Sequence, residues 1–481
     1  MSASQAPEGA PLVAIALPRA AAARAIVAAW ERGEAVAPLD PQAPPAERSR
    51  ALAVLRPTHL QDGRGRVALE GGVPAAPGVA AVVTTSGTTG TPKAVELTAA
   101  GIRAAAVAVS EALGVVTPSA AAVDNPGSPH SRRDNLVTGG PPTGGGLFGL
   151  RAGRVGAAAQ PRRGRGGQGA QGSRGAQATA GDGGEAARGD AWLCCLPLHG
   201  VAGLAIIARA WHTGVPVQVH DRFEPERVLR AARDGDATLV SLVPTMLARL
   251  LDLDQDPVEG AALRRFRRIL LGGAPAPAAL LARARAAGLQ VVTTYGLTET
   301  FGGVVHDGHP LRGVALRLDE AGQILVRGPM VMRGYRADPD GQETTTALRP
   351  DGWLCTGDLG RFEDEAGGGP PGRLRVLGRL DDLIVSGGVN VQPVEVEAVL
   401  ATHPAVADAA VRGVPDPEWG ERVAAYVVPA DPAAPPSLEE LRRFARGQLA
   451  AAKLPRELVL VHAIPRSPGG KILRRLLGGQ R

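Results

Sequence analysis

Short apolar runs alternate with helix-length stretches through most of the first 300 residues. Residues 12–17 (Leu-Val-Ala-Ile-Ala-Leu) read as a buried strand and 20–31 as a helix. Val79 to Thr84 reads as a strand that delivers a Ser/Thr/Gly loop, with a helix from about 98 to 113. Further on, 215–219, 238–242, 268–271 and 290–294 read as strands, interleaved with helices over 225–234, 244–252 and 277–287. That alternation predicts α/β layers with parallel strands. After about 310, strand-like pieces at 314–318, 323–327 and 373–377 and glycine turns predict a β-rich subdomain. A helix over 393–401, strands over 406–413 and 422–429 and a helix over 437–449 predict a compact α+β unit at the end. The expected fold is therefore α/β. A large N-terminal domain (1–379) combines layered α/β subdomains with the β-rich one, and a small C-terminal α+β domain covers 380–481.

One stretch has no period at all. From about 118 to 190 the chain is rich in Gly, Ala, Arg and Pro and almost free of large hydrophobes. Such a composition cannot bury enough surface to offset ordering entropy, so disorder is expected. Three accounts compete: an inserted loop, an RGG-like nucleic-acid tether, or an out-of-frame reading of a GC-rich gene. A tether usually interleaves aromatics, and only Phe148 is available here.

Charge sharpens this picture. The pI near 9.8 and net charge of +6 suggest a nucleic-acid partner. Residues 131–190, however, carry nine arginines against four acids, which is nearly all of that excess. The rest of the 481-residue chain is close to neutral, so no nucleic-acid partner is expected. Its length suggests two or three domains. No run of 18 apolar residues and no secretory pattern is visible, so no membrane insertion is expected. Cys194, Cys195 and Cys355 form no CxxC or disulfide pattern, which suggests a reduced, cytoplasmic protein.

Of the 53 basic residues only Lys93, Lys453 and Lys471 are lysines. In so arginine-rich a chain, a retained lysine is a candidate for chemistry that needs a flexible point charge. Lys93 closes Thr84-Thr85-Ser86-Gly87-Thr88-Thr89-Gly90-Thr91-Pro92-Lys93, whose hydroxyls and N–H groups suit a polyphosphate. It is no Walker loop, because Pro92 precedes the lysine and no Ser/Thr follows it. Lys471 closes Ser467-Pro468-Gly469-Gly470-Lys471. Between them, Tyr295-Gly296-Leu297-Thr298-Glu299 offers a ring, a hydroxyl and a carboxylate, and Asp358 ends a turn that could clamp a sugar diol. Gly378-Arg379-Leu380-Asp381-Asp382 joins the large part to the last unit, and Ser386-Gly387-Gly388 follows.

Together and in this order, the motifs resemble the adenylate-forming superfamily, which includes acyl-CoA synthetases, peptide-synthetase adenylation domains and luciferases. The resemblance runs over 79–113 and 191–481. It implies ATP, Mg²⁺ and coenzyme A as cofactors, and a carboxylic acid as the other substrate. Thr85, Ser86, Gly87, Thr88, Thr89, Gly90 and Lys93 would hold the β- and γ-phosphates. Gly273, Ala274 and Pro275 would sandwich the adenine with Tyr295 and Gly296. Thr298 would meet the α-phosphate, Glu299 would ligate the metal, and Asp358 with Arg379 would hold the ribose. Lys471 would bridge the acid's carboxylate and the α-phosphate. Lys453 also falls where the family commonly has lysine. Asp381 would be the hinge of a mobile small domain, and Ser386, Gly387 and Gly388 would line the tunnel for pantetheine. A homodimer is one expected assembly.

Two departures stand out. In Leu196-Pro197-Leu198-His199-Gly200, His199 stands where the family has an aromatic and Gly200 where it has histidine; both are candidate pocket residues. Lys93 also lies 103 positions before Leu196, an excess that coincides with the odd segment. The short N-terminal part, the stretch Phe301-Gly302-Gly303-Val304-Val305-His306-Asp307-Gly308-His309-Pro310-Leu311 and Ser386–Val391 are similar to the o-succinylbenzoate–CoA ligases of menaquinone synthesis. A fatty-acid or aryl-acid–CoA ligase is the alternative within the family, and a non-catalytic nucleotide-binding relic the alternative outside enzymes.

Overall fold

The computed structural model describes residues 9–85, 93–115, 146–148 (backbone only), 189–254, 262–337, 347–363, 372–467 and 470–478. Strands such as Leu239–Leu242 and Arg268–Leu271 are buried along almost their whole length. That continuous burial suits parallel strands covered on both faces. Both lie in an eight-stranded sheet whose central members, Trp192–Cys194, Val217–Val219, Leu239–Leu242, Arg268–Leu271 and Val291–Leu297, pair in parallel. Gly302–His306 and His309–Pro310 extend it antiparallel.

A seven-stranded sheet is built around Leu12–Ile15, Ala35–Pro38 and Val79–Thr85. It departs from the all-parallel expectation. Val79–Thr85 turns back as Lys93–Thr98, antiparallel, with Thr85 opposite Lys93. The Ser/Thr/Gly loop therefore closes a hairpin instead of leading directly into a helix. The helix Ala99–Ala112 follows, capped by Thr98, whose Oγ1 accepts from Gly101 N at 3.0 Å.

Between the two sheets lies a core of mostly Ala, Val, Leu and Ile, as the low aromatic content requires. The helix Val201–Thr213 runs through it with Gly203 to Ala210 all buried. Being apolar on every side, it showed no period in the sequence. The β-rich part is a four-stranded antiparallel sheet of Ala315–Leu318, Gln323–Arg327, Leu354–Glu363 and Arg373–Arg379. From Ile384 on, five strands and the helices Pro393–Leu400 and Leu438–Ala445 enclose a separate core. The second helix is shorter than the 437–449 expected.

The segment 118–190 needs two corrections. Gly146–Phe148 forms a strand that pairs antiparallel with Val217–Val219 at the sheet edge. Asp190 belongs to the fold: it is 4% exposed and takes a two-pronged contact from Arg267, at 2.8 and 2.5 Å, and a 2.7 Å bond from Thr238. The rest of that segment lies outside the described residues. Among the described residues no helix is long and apolar enough to cross a membrane.

Candidate active site

The antiparallel pairing of Leu354–Glu363 with Arg373–Arg379 sets Asp358 directly opposite Arg379. Their side chains meet at 3.2 Å, and Tyr295, near the end of Val291–Leu297, donates its hydroxyl to the other Asp358 oxygen at 2.8 Å. Asp358 is nearly buried. Burial pushes its pKa up, against the pull of Arg379, the Tyr295 bond and Lys471. Burial and the Asp358 charge likewise push the Tyr295 phenol up.

Gly272 to Pro275 follow Arg268–Leu271 and pass close beside the Tyr295 strand. A Cβ on Gly272 would come within 2.5 Å of Thr294 Cγ2, and Gly273 has φ +81°. Glycine is thus what lets this loop pass close to Thr294, next to Tyr295. At Gly296 a Cβ would sit 1.8 Å from Gly302 O, so the return of the chain after Thr298–Thr300 needs glycine as well. Within that turn, Thr300 Oγ1 accepts from Leu297 N at 2.9 Å and donates to Gly302 O at 2.7 Å. Phe301 takes a left-handed φ of +51° with its ring 2% exposed. The lock leaves Thr298 and Glu299 half-buried at the edge of the cleft, and the Thr298 hydroxyl makes no hydrogen bond among the described residues.

Glu299 Oε1 accepts from Tyr335 at 2.8 Å, and Lys93 Nζ lies 4.9 Å from the centre of the Tyr335 ring. Thr85 and Lys93 thus flank the loop on the Glu299 side. Ser86, Gly87, Thr88, Thr89 and Gly90 lie outside the described residues. Mg²⁺ is usually held by one or two carboxylates plus substrate phosphates. The residues present fit that pattern: Glu299 keeps its second oxygen open, and no group of three or more His, Cys, Asp or Glu forms an all-protein metal site among the described residues.

Lys471 is brought to the same place from the C-terminal unit. Its loop is closed by Ser467 N to Lys471 O and Gly470 N to Ser467 O, both 2.8 Å. Arg466 donates to Gly470 O at 3.1 Å while pairing with Asp408 at 2.8 Å, which ties the loop to the body of the unit. Next to Lys471 the loop approaches the large part: a Cβ on Gly470 would lie 3.8 Å from Thr245 Oγ1 and 3.9 Å from Val243. The Lys471 side chain is solvent-accessible, yet the protein packed beside it and the Arg379 charge lower its pKa, against Asp358 and Asp382.

Other candidates are not gathered here. Lys453 is held by Glu395 at 2.7 Å, on the first turn of Pro393–Leu400. Asp381 is exposed. Ser386 is buried, while Gly387 and Gly388, with φ +59° and +76°, turn a hairpin that faces solvent, and Gly387 packs against Trp419. His199 is half-buried, and its charged neighbours are Asp40, Arg19 and Glu47, none of them candidates.

Three polar side chains converge behind Gly302-Gly303: His306, from the Phe301–Leu311 stretch, and Arg209 and Thr294, which drew no attention in the sequence. Arg209 is 5% exposed, lies over the Trp192 ring, and leaves Nη1 without a partner. His306 has both ring nitrogens unpartnered, and burial and Arg209 push it down to about 4. The unpartnered Thr294 Oγ1 lies where a Cβ on Gly303 would fall, and His306 Nε2 would be 3.5 Å from it. Buried polar groups are rarely left unsatisfied, so this cluster points to a ligand group.

Comparison with known proteins bears on this site directly. The family profile "AMP-binding enzyme" matches residues 171–336, and "AMP-binding enzyme C-terminal domain" matches 395–471. A Mycobacterium tuberculosis protein named "Probable 2-succinylbenzoate--CoA ligase" is 41% identical over 294 residues, which cover 60% of this chain and 73% of that protein. The chain belongs to the AMP-binding enzyme family.

A Bacillus licheniformis relative, "2-succinylbenzoate--CoA ligase", is 38% identical over 310 residues; the chain spans only 61% of its length. The fold agrees over more of the molecule. A solved structure of Bacillus subtilis o-succinylbenzoate CoA synthetase, in complex with the acyl-adenylate intermediate OSB-AMP, superposes with a TM-score of 0.73 at 28% identity. That match covers 99% of this chain and 89% of the other. Lys93 lies outside both profile spans of this AMP-binding enzyme, whereas Tyr295, Glu299 and Lys471 lie inside them.

Proposed function

We propose that the protein is an ATP-dependent acid–CoA ligase that first joins a carboxylic acid to AMP, releasing pyrophosphate, and then passes the acyl group to coenzyme A. The observation that carries this reading is that Lys471, from a separate unit, comes within reach of the Asp358 and Arg379 charges. A carboxylate attacking an α-phosphate must approach another anion, and a flexible cation reaching in from outside offsets that repulsion. In this reading Tyr295 and the Gly273-Ala274-Pro275 loop enclose the adenine, and Asp358 and Arg379 hold the ribose. Thr298 and Lys471 meet the α-phosphate, and Thr85 and Lys93 face the outer phosphates. Glu299 would hold Mg²⁺, which neutralises phosphate charge when bound. Residues 380–481 would act as a mobile domain turning about Asp381, so that one cleft serves both half-reactions.

The acid we assign is 2-succinylbenzoate, the substrate in the names of the relatives. Support within this chain comes from the buried Arg209, whose Nη1 has no hydrogen-bond partner. An unpaired cation in a dry site is costly, and a second carboxylate on the substrate would remove that cost. His306, kept neutral, and Thr294 can donate to a neighbouring carbonyl oxygen. A fatty acid offers neither group. The free thiols Cys194, Cys195 and Cys355 fit a cytoplasmic setting.

The test is pyrophosphate release with 2-succinylbenzoate, benzoate and a fatty acid. Release with 2-succinylbenzoate alone is expected, and Arg209→Met should raise its KM on the order of a hundredfold, as for loss of a buried charge partner. Absence of ATP-dependent release with any acid would refute the enzyme reading.

A further inference from the structure

Tyr335 lies outside every motif that the family resemblance assigns, yet it touches both charged groups at the triphosphate end. Its hydroxyl donates to Glu299 Oε1 at 2.8 Å, and its ring lies under Lys93 Nζ at 4.9 Å. Its backbone is fixed from two sides. Gly334–Tyr335 pairs antiparallel with Glu96 and Val95, on the strand that Lys93 begins. Arg333 and Arg336, flanking it, both bind the buried Glu96, at 3.0 and 3.2 Å. At the other end Met332 N donates to Glu299 O at 2.7 Å. The segment 332–336 therefore ties the Lys93 strand to the residue that bears the carboxylate.

We infer that Tyr335 is a positioning residue that keeps Glu299 and Lys93 apart, each available to the polyphosphate and its divalent cation. This rests on the nucleotide reading proposed above. Left to themselves, a carboxylate and an ammonium on facing elements would pair, and each would then be lost to its ligand. No ion pair joins them among the described residues; the phenol contacts each of them instead. Its hydroxyl occupies one carboxylate oxygen and leaves Oε2 open. Its π face steadies the ammonium without neutralising it. Neither interaction alone would achieve the separation.

Calorimetric binding to the full-length protein tests this, with AMP and with a non-hydrolysable ATP analogue, each with and without Mg²⁺. Tyr335→Phe keeps the ring but loses the donor to Glu299. It should weaken the Mg²⁺-bound analogue about tenfold, the scale of one hydrogen bond to a charged group, and leave AMP unchanged. Tyr335→Leu removes the spacer altogether and should reduce the Mg²⁺ enhancement further, again sparing AMP. An unaltered Mg²⁺ enhancement in Tyr335→Phe overturns the inference. So does equal weakening of AMP and analogue, which would mark a merely structural role. If the unmodified protein binds neither ligand, the nucleotide reading itself fails, and that outcome is distinct from both.

Discussion

Two glycine turns of the C-terminal unit meet opposite surroundings. The turn ending in Gly470-Lys471 comes close to Val243 and Thr245 of the large part, with its lysine in reach of the Asp358 and Arg379 charges. The hairpin at Gly387-Gly388 is exposed, and a Cβ on Gly387 would meet Trp419 of its own unit. Both turns depend on left-handed backbone that glycine alone adopts cheaply. They differ in what they face, and one rigid unit cannot present both turns to one cleft at once. If the protein has the activity proposed above, this arrangement suits making the acyl-adenylate, and passing the acyl group on would require the unit to turn.

The largest expected effect concerns the docked turn. Lys471→Ala should lower the rate of pyrophosphate release on the order of a hundredfold to a thousandfold, as when a transition-state donor is removed. Thioester formation from preformed acyl-adenylate should persist, and equal loss of both steps would erase the distinction between the turns. The complementary change is Gly388→Ala. Nothing lies within 4 Å of an added Cβ there, but φ is +76°. Thioester formation should fall on the order of tenfold to a hundredfold through misplacement of the hairpin, with adenylation unchanged in single-turnover assays.

A pH profile of adenylation sharpens the docked side. Asp358 has a folded pKa raised above 3.8, so the ionised form that would accept from ribose is lost as pH falls through that raised value, earlier than for an ordinary aspartate. Lys471 has a pKa lowered below 10.5, so its ammonium is lost as pH rises through that lower value. Two limbs are expected. Lys471→Arg should abolish the alkaline one, and Lys471→Met should move the acid limb upward, because Lys471 helps keep Asp358 ionised. The smallest effect belongs to the lysine that faces neither turn. Lys453→Ala breaks a half-exposed pair with Glu395 and should change stability by less than about 1 kcal/mol, with adenylation unaltered.

Local signals made much of this fold legible. Arg268–Leu271 is an apolar run stopped by Gly272, and it appears where the pattern placed it. Val201–Thr213 was hidden because a helix buried on all sides has no polar face to mark its turns. Lys93–Thr98 was hidden because its buried Glu96 looks like a surface residue until Arg333 and Arg336 arrive from more than 200 positions away. The candidate site divides in the same way. Tyr295, Asp358, Arg379 and Lys471 sit in recognisable motifs, and the fold gathers them. Tyr335 and Arg209 acquire meaning only from partners, or from the lack of one, across the molecule. No local pattern announces either.

Phe301 ties the cleft to the core. It holds a left-handed backbone that disfavours a bulky residue by roughly 1 kcal/mol or more, and the burial of its ring helps compensate. The turn that presents Thr298 and Glu299 is therefore held in place by packing beneath it as well as by the Thr300 hydrogen bonds within it. Stability and activity become a single property at this point. A cavity opened against that ring should therefore lower the melting temperature and loosen the presentation of Thr298 and Glu299 together.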